Sequence, residues 1–382
     1  MSGRPTYYGL NTGIVWNHGQ IWSEQRRFSL KHLRDLGFGR KSLDSVIVHE
    51  IDAVIDKLLD SKDGIVEMKN TFNIPIINTL WQIVGSKKFD SDNEETEKMI
   101  DTVNALINSF SLMGFFPKLI QQILTALGLC PQQDGNILQM KTIMKTLISD
   151  HFKDIDYDNP RDLIDLYLME RDTNPNFNED QLIQICNDFF IAGTETTSTT
   201  LSWAILYMTI HPNIQDECRN EIVEQIGSKP PSISDIQNLP FVMATLMEVQ
   251  RISRVGPGSL PHVLMKNVTV NGFLFEKGTI FSANLSKFLM DPRVFTMPKY
   301  FNPSRFLDET GKIKKFEQFV PFSVGKRFCM GESLAKNEMF LFFVRMLQRV
   351  TFEETIIRPS PKNVIFGLTR IPKPFKVKII ER

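Results

Sequence analysis

The chain has 382 residues, and its 44 Lys and Arg balance its 44 Asp and Glu, so the formal net charge is zero. This balance provides no overall attraction for nucleic acid, which recruits proteins with an excess of basic residues. A composition of 42% hydrophobic and 23% charged residues excludes general disorder and is typical of a globular protein. Four cysteines are too few for a disulfide scaffold, whereas 29 phenylalanines supply a large aromatic surface.

Helical spacing of apolar residues dominates the pattern along the chain. The longest predicted helix has Asn178 as its N-cap and ends before Pro212. We find no internal repeat and no low-complexity linker, so we expect one mainly α-helical domain with small β-sheets over residues 1–382. The predicted helices cover residues 22–35, 42–60, 94–110, 137–153, 162–170, 178–210, 213–226, 241–253 and 331–348.

A strand pattern replaces the helical one in a short region after residue 260. Residues 268–270 and 273–275 flank Asn271-Gly272, a pair that favours a two-residue hairpin turn. We predict a further strand over residues 279–283. Residues 291–325 are irregular and rich in Pro and Phe, and a loop of this length is expected to be functional or packed around another group.

The apolar segment 109–130 is the one candidate for contact with a membrane. No apolar run reaches the roughly 18 residues of a spanning helix, and the first residues lack the pattern of a secretion signal. The segment is either a pair of ordinary amphipathic helices around Pro117 or a surface lobe that dips into a bilayer.

The most informative stretch is F-S-V-G-K-R-F-C-M-G at residues 322–331, directly before a predicted helix. Cys329 lies in a turn where backbone N–H groups and the helix dipole favour a thiolate. Gly325 and Gly331 allow a tight turn or a close approach to a flat ligand. Arg327 offers a fork of donors to a carboxylate. A lone cysteine is usually a buried small residue, but the complete spacing F-x-x-G-x-R-x-C-x-G is much more specific.

A second motif, A-G-T-E-T-T at residues 192–197, lies midway along the longest predicted helix. Its small residues open space beside the helix, and the Thr196 hydroxyl can bond the carbonyl of Ala192. Glu195 beside this hydroxyl can relay protons. Alone, such a patch is more typical of a helix-packing face; together with Cys329 we interpret it as part of an active site.

Two further pairs lie at helical spacing. Glu248 and Arg251 are separated by three residues, and Trp22 and Arg26 by four, so each pair shares one helical face. Alone, the first pair would be a solvated ion pair that contributes little to stability.

These motifs, in this order, resemble the cytochrome P450 family, and the resemblance extends from about residue 2 to the C-terminus. R-R-F-S-L at 26–30, N-P-R-D at 159–162 and L-P-H at 260–262 are similar to animal microsomal P450s of the family-2 type. The resemblance implies the P450 fold and a heme-thiolate monooxygenase. Such an enzyme inserts one oxygen atom of O2 into a lipophilic substrate, here a steroid, fatty acid, terpenoid or xenobiotic.

The resemblance also implies roles for individual residues. Cys329 would be the axial ligand of the iron of heme b, and Glu195 and Thr196 would deliver protons. Glu248, Arg251 and Arg305 would form a buried structural network. The other expected heme contacts are Arg4, Trp22, Arg26, Ala192, His262, Phe322, Arg327 and Gly331. The expected substrate contacts are Leu106, Phe110, Phe189, Phe190, Leu260, Phe366 and Leu368, and Ile191 is expected to narrow the pocket.

The expected partners follow from the same resemblance. Electrons would come from NADPH through NADPH-cytochrome P450 reductase, because no dinucleotide or flavin fingerprint occurs in the sequence. Cytochrome b5 is a second candidate partner, and nucleic acid is not expected. The protein would lie on the cytosolic face of the endoplasmic reticulum membrane, with peripheral contact through residues 109–130.

The sequence departs from the family pattern at its start. Relatives begin with a membrane anchor, a hinge, two helices and the first strands, whereas Met1 here falls just before Ser2-Gly3-Arg4. We therefore expect an N-terminally truncated P450 fold. Two alternatives remain: a heme-free or non-catalytic product, and a heme-thiolate isomerase or dehydratase, which the intact Glu195-Thr196 pair disfavours.

Overall fold

The computed structural model describes residues 12–61, 63–109 and 133–382. Within these ranges, eleven α-helices account for most of the regular structure, as the apolar spacing predicts. Their bounds are Gly19–Asp35 (α1), Asp44–Leu59 (α2), Asn73–Val84 (α3), Glu94–Ser109 (α4), Gln133–Asp154 (α5), Leu163–Arg171 (α6), Glu179–Ile210 (α7), Pro212–Gln225 (α8), Pro240–Ser253 (α9), Leu285–Leu289 (α10) and Glu332–Arg349 (α11).

Nine short strands form four small antiparallel sheets in the same ranges. The strands are Ile65–Glu67 (β1), His262–Val263 (β2), Val268–Val270 (β3), Phe273–Phe275 (β4), Ile280–Phe281 (β5), Val350–Glu354 (β6), Val364–Phe366 (β7), Arg370–Pro372 (β8) and Lys376–Glu381 (β9). The largest sheet has the order β1-β9-β6, and the others pair β2 with β5, β3 with β4, and β7 with β8.

Helix α7 is the element around which the others are arranged. Its N-cap is Asn178, whose side-chain oxygen accepts a hydrogen bond from the Gln181 N–H at 3.0 Å. It ends at Ile210, and Pro212 begins α8 in the first-turn position that proline tolerates. Helices α3, α5, α9 and α11 all pack against α7. The resulting apolar cluster includes residues from Ile14 to Ile379.

Helix α3 is the main element that the sequence pattern does not predict. Ile76, Ile77, Leu80 and Trp81 are all buried, and most other residues of the helix are buried as well. Because Asn73, Asn78 and Thr79 are buried together with the apolar residues, this helix lacks the broad exposed polar face that is typical of an amphipathic surface helix. The position of α3 therefore becomes evident only from its packing against α2 and α7.

The predicted hairpin is present as β3 and β4, in which Val270 pairs with Phe273. Asn271 and Gly272 both have positive φ, at 50° and 84°, as a two-residue hairpin turn of this kind requires. The strand expected over residues 279–283 is shorter, because only Ile280–Phe281 pairs, with β2.

The irregular Phe-rich segment packs largely on itself. The rings of Phe295 and Phe316 lie 5.1 Å apart, and those of Phe306 and Phe319 lie 4.9 Å apart. Ala244 of α9 completes this small apolar cluster. Contacts between aromatic rings thus hold this segment together although it has little regular secondary structure. These rings account for part of the high phenylalanine content.

A buried ionic cluster joins the end of α5 to the start of α6. Nε2 of His151 lies 2.9 Å from Asp162, and Nδ1 lies 2.9 Å from the carbonyl of Leu147. Burial lowers the pKa of His151, but the bonds to Asp162 and Leu147 and the charges of Asp162 and Asp165 raise it above its ordinary value. Both ring nitrogens face oxygens, which favours the protonated imidazole, and Arg161 pairs with Asp165 at 2.7 Å.

Residues 110–132, which contain most of the segment proposed to contact a membrane, lie outside the described residues, as do Arg4 and Cys130. Among the helices that the structure does describe, none combines the length and apolarity needed to cross a bilayer.

Candidate active site

A cavity of about 1270 Å³ lies among the described residues. This exceeds the range of roughly 300–1,000 Å³ that is typical of small-molecule sites. One wall is formed by the middle of α7, and another by the Cys329 turn and the first turns of α11. The cavity therefore lies where the two most informative sequence motifs meet.

The Cys329 turn presents its sulfur to this cavity. The Cys329 N–H donates to the carbonyl of Phe322 at 2.9 Å, and Gly325 has a φ of +82° that favours glycine. The surrounding protein raises the pKa of the Cys329 thiol, whereas N–H groups of Gly331 and Glu332 and the charge of Arg26 lower it. These groups are already placed to stabilise a thiolate that a metal ion would generate.

Cationic groups converge beside the turn without an acidic partner. Arg26 donates to the carbonyl of Phe328 at 2.7 Å, and the guanidinium of Arg327 lies 3.8 Å from the ring centroid of Trp22. Burial lowers the pKa of Arg327 to about 10, with a further contribution from the charge of Arg26. His262 stacks on Phe281, and burial together with Arg327 lowers its pKa. No ion pair of Arg26 or Arg327 occurs within the described residues.

These residues fit a flat cofactor with anionic substituents and a thiolate-bound metal. Nε1 of Trp22 is buried and has no hydrogen-bond partner in the part of the chain that the structure describes. An indole N–H in this position is one donor for an anionic group, and Arg26, Arg327 and His262 supply others. The donor set therefore matches heme propionates, and Cys329 matches the axial ligand.

The neighbouring residues Glu195 and Thr196 of α7 face different surroundings. The Thr196 hydroxyl lies on the cavity wall and donates to the carbonyl of Ala192 at 2.8 Å. Glu195 is buried outside this wall and accepts from Thr199 and Thr369, each at 3.2 Å. Burial raises the pKa of Glu195, and these two hydrogen bonds lower it in part. Thr369, which does line the cavity, therefore connects Glu195 to it.

Most of the expected substrate contacts lie on the cavity wall, but two do not. Leu106, Phe189, Ile191, Leu260 and Leu368 line the cavity, together with Ala192 and Phe322. Phe190 instead packs edge-on against Trp81 and Phe89, at 5.7 and 5.4 Å. Phe366 is 74% exposed and also lies outside the wall. Phe110 is outside the described residues.

The predicted three-residue network is buried where α9 meets the Phe-rich segment. Arg251 donates to Glu248 through Nε at 2.7 Å and Nη2 at 2.8 Å, and Nε of Arg305 lies 3.1 Å from the same carboxylate. Arg305 also donates to the carbonyls of Thr296 and Tyr300. One acid therefore ties α9 to the Phe-rich segment.

Several residues of the cavity were not among those expected from the sequence. Ile76 and Leu80 reach it from α3, and Thr369 from the turn before β8. Glu338 of α11 is buried beside the cavity, where desolvation raises its pKa well above the ordinary value, and its Oε1 lacks a partner among the described residues. Asp188, one turn before Ala192, also lies on the wall. A search for acids at helical spacing from the two motifs would have found both carboxyl groups.

A mainly helical fold with a cavity-facing cysteine before a helix is characteristic of a heme-thiolate protein, and so are cationic side chains beside the cysteine that have no acidic partner among the described residues. The family model described as cytochrome P450 matches residues 3–379, so the chain belongs to that family. It is 36% identical to cytochrome P450 2U1 of Bos taurus over 396 residues, covering 97% of this chain and 70% of the relative.

Other relatives show similar agreement. Cytochrome P450 2J3 of Rattus norvegicus is 36% identical over 357 residues, covering 90% of this chain and 70% of the relative. Cytochrome P450 2B4 of Oryctolagus cuniculus is 32% identical over 393 residues, covering 99% and 79%. The chain is accordingly an oxidoreductase of the heme-thiolate monooxygenase class, and its cofactor contains heme iron.

Proposed function

We propose that this chain oxidises a lipophilic small molecule such as a steroid, fatty acid, terpenoid or xenobiotic. The observation that carries the proposal is the cavity itself, in which Cys329 and Thr196 face a space lined mainly by apolar residues. An apolar wall with few polar groups favours a lipophilic ligand and excludes bulk water from it. When bound, heme supplies the iron that activates O2 for insertion of one oxygen atom into a C–H bond.

Cys329 is the proposed axial ligand of this iron. N–H groups of Gly331 and Glu332 stabilise negative charge on the sulfur, and Arg26 adds a nearby positive charge. Such groups around a sulfur ligand tune both its basicity and the potential of the metal. Trp22, Arg26, Arg327 and His262 would hold the propionates.

Glu195, Thr369 and Thr196 are the proposed path for protons into the cavity. Burial raises the pKa of Glu195, and a carboxyl group whose pKa is raised toward the working pH is better suited to donate and recover protons. Its partner Thr369, whose hydroxyl donates to Glu195, and its neighbour Thr196 both line the cavity. Each hydroxyl can accept one proton and pass on another.

Electrons would come from NADPH through NADPH-cytochrome P450 reductase, with cytochrome b5 as an additional donor. The end of α1 and the residues that follow carry exposed basic side chains, including Lys31, Arg34 and Lys41. These charges suit an acidic redox domain, whose approach they would accelerate. We place this reaction on the cytosolic face of the endoplasmic reticulum membrane, with residues 109–130 in peripheral contact.

The proposal is tested by the spectrum of the purified chain, reconstituted with heme, reduced and exposed to CO. We expect the red-shifted Soret band of a thiolate-ligated heme. Cys329→Ser should abolish this band, and Cys218→Ala should retain it, because Cys218 is buried against Thr245 instead of facing the cavity.

Two results would contradict the proposal. Absence of the band in the unchanged chain would exclude monooxygenase activity for it. Survival of the band in Cys329→Ser would show that a different residue is the ligand.

A further inference from the structure

Two arginines lie side by side at the C-terminal end of α9. Nε of Arg254 and Nη1 of Arg370 each lie 3.3 Å from the carbonyl oxygen of Ile252, so the two guanidinium groups meet at one acceptor. Arg254 also lines the cavity, and Arg370 directly follows Thr369, which lines it too. The pair therefore places two positive charges at the edge of the cavity.

Arg370 is bound by several groups of the protein. Its Nη1 also donates to the carbonyl of Ser253 at 2.6 Å, and its guanidinium lies over the ring of Trp203, at 5.0 Å from the centroid. A cation at this place bonds the last carbonyls of α9 and complements the negative end of the helix dipole. The role of Arg370 is therefore to cap α9 and to hold the start of β8 against it.

Arg254 is bound much less completely than Arg370. Its Nε makes the one long bond to Ile252, and its two Nη atoms donate to no acceptor among the described residues. The residue is half-buried, so these charged donors are partly removed from water without a protein acceptor in exchange. Such donors on a cavity wall are costly to the protein unless a ligand supplies the acceptor.

No acid balances the charge of this pair within the described ranges, where neither arginine forms an ion pair. The carboxylate of Glu248, on the same helix, is already bound by two other arginines. Burial raises the pKa of the nearby Tyr207 to about 12, so this phenol supplies no negative charge. Burial lowers the pKa of Arg254 and of Arg370, and the charge of Arg254 lowers that of Arg370 further. An anion bound here would relieve this repulsion.

The pair is separate from the cations assigned to the heme propionates. Burial lowers the pKa of Arg327 and of His262, with a smaller effect of Arg26 on the first and of Arg327 on the second. The charges of Arg254 and Arg370 influence neither group. The two sets of cations therefore act on different parts of the cavity.

The backbone around Arg254 leaves room for a ligand. Arg254 ends α9 with a φ of 49° and a ψ of 54°, in the left-handed region that favours glycine. Val255 and Gly256 continue the cavity wall, and a Cβ at Gly256 would have no atom within 4 Å. An arginine at a position that favours glycine, beside open space, points to a use for its side chain.

We propose that Arg254 binds the carboxylate of the substrate, so that the cavity prefers lipophilic carboxylic acids to neutral lipophilic molecules. Its guanidinium offers two free Nη atoms in the fork geometry that matches a carboxylate, and Arg370 adds a second positive charge. Apolar residues of the wall, including Leu260 and Leu368, receive the hydrocarbon part. Oxidation of this ligand rests on the proposed function, whereas its binding is measured without turnover.

The inference is tested by isothermal titration calorimetry of the full 382-residue chain, with and without heme, at about pH 8, where a carboxyl group is ionised. Dodecanoate and 1-dodecanol are the ligands, because they share one hydrocarbon chain and differ only in the polar group. The unchanged chain should bind dodecanoate about 10- to 100-fold more tightly than dodecanol, as a hydrogen bond between charged groups predicts.

Arg254→Asn should remove this preference and leave the Kd of dodecanol unchanged. Asparagine is uncharged and tolerates the left-handed backbone, so this variant is expected to fold. Arg254→Lys retains the charge and should retain part of the preference. Arg358→Gln is the matched control, because Arg358 is an exposed arginine that pairs with Glu354 outside the cavity wall. It should bind both ligands as the unchanged chain does.

Three results would overturn the inference. The first is that the unchanged chain does not bind dodecanoate more tightly than dodecanol, and the second is that Arg254→Asn binds dodecanoate as tightly as the unchanged chain. The third is an equal loss of both ligands in Arg254→Asn, because Arg254 would then only support the shape of the cavity.

The CO spectrum separates this inference from the proposed function. An Arg254-dependent preference for dodecanoate in a chain without the thiolate band would contradict the proposed function alone. A chain that shows the band but has no preference for the acid would contradict only the role of Arg254.

Discussion

Glu195 and Thr196 are adjacent in the chain, but successive residues of an α-helix are rotated by about 100° around its axis. Their side chains therefore point in different directions. Thr196 presents its hydroxyl to the cavity while bonding the Ala192 carbonyl, and Glu195 points toward Thr369 in the protein interior. The acid is thereby protected from solvent, and the hydroxyl remains accessible to a ligand. This difference in environment raises the pKa of the acid, which is what a proton donor near neutral pH requires.

Thr196→Ala should uncouple NADPH oxidation from product formation. Loss of a positioned proton donor typically costs about 10²–10⁴ in rate, so product formation should fall well below NADPH consumption. The measurement is the ratio of product formed to NADPH oxidised in a reconstituted system.

Thr209→Ala is the matched control, because Thr209 makes the same bond to a carbonyl four residues back on α7 but is buried outside the cavity. It should leave the ratio unchanged. An unchanged ratio in Thr196→Ala would remove Thr196 from the proton path.

At the scale of elements, the contact between α3 and α7 gives a reason for the glycine at position 193. The sequence motif alone does not give this reason. A Cβ on Gly193 would lie 2.6 Å from Cδ2 of Leu80. Glycine therefore allows the two helices to pack closely here without displacing the Leu80 side chain, in addition to any space that it leaves beside Thr196. Leu80 itself lines the cavity, so the same contact sets part of its shape.

Gly193→Ala should destabilise the protein although alanine is the better helix former. Overpacking typically costs about 1–3 kcal/mol, which outweighs the gain of about 1 kcal/mol in helix propensity. The free energy of unfolding in urea, followed by far-UV circular dichroism, measures the difference.

Leu80→Val provides the control for this substitution, because it removes the Cδ2 atom that alanine would contact. In the Leu80→Val background, Gly193→Ala should leave the free energy of unfolding unchanged or raise it. The two substitutions would then have a favourable coupling energy in a double-mutant cycle. Equal effects in both backgrounds would mean that Leu80 is not the cause.

At the scale of the whole molecule, one buried carboxylate holds two segments of the chain that are far apart in sequence. Glu248 and Arg251 are fully buried, and Arg305 reaches the same carboxylate from a segment without regular structure. Arg251 also lies over the ring of Phe295, at 5.3 Å from its centroid. The Phe-rich segment that precedes the Cys329 turn is therefore positioned by charge as well as by aromatic packing.

Glu248→Gln should cause a large loss of stability, because two arginines would lose their only acid in the network. Breaking a buried ion pair by removing one partner typically costs about 3–5 kcal/mol. Urea unfolding measures this loss.

Glu332→Gln is the matched control, since Glu332 pairs with Lys336 on the same kind of helical spacing but near the surface. It should cost less than about 1 kcal/mol. Similar losses in the two variants would contradict a special role for the buried network.

The sequence by itself determined most of the helices, the hairpin at Asn271-Gly272 and the Cys329 turn, because each depends on residues close together in the chain. Apolar periodicity and turn-forming residues are local properties of the chain. The helices and turns that they predict form when the rest of the fold buries the apolar face. The family resemblance likewise rests on short motifs, and the family match over residues 3–379 confirms it.

Only the tertiary structure decided which side chains reach the cavity. Phe189 lies on the wall and Phe190 does not, because α3 and the Trp81 ring occupy the side of α7 that Phe190 faces. Helix α3 is buried along most of its length, and its place in the fold is set by packing against α2 and α7. Asp188 meets Ile14 across 174 residues of chain, and no local pattern encodes such a contact. Cavities form between segments brought together by folding, and their walls are therefore a property of packing.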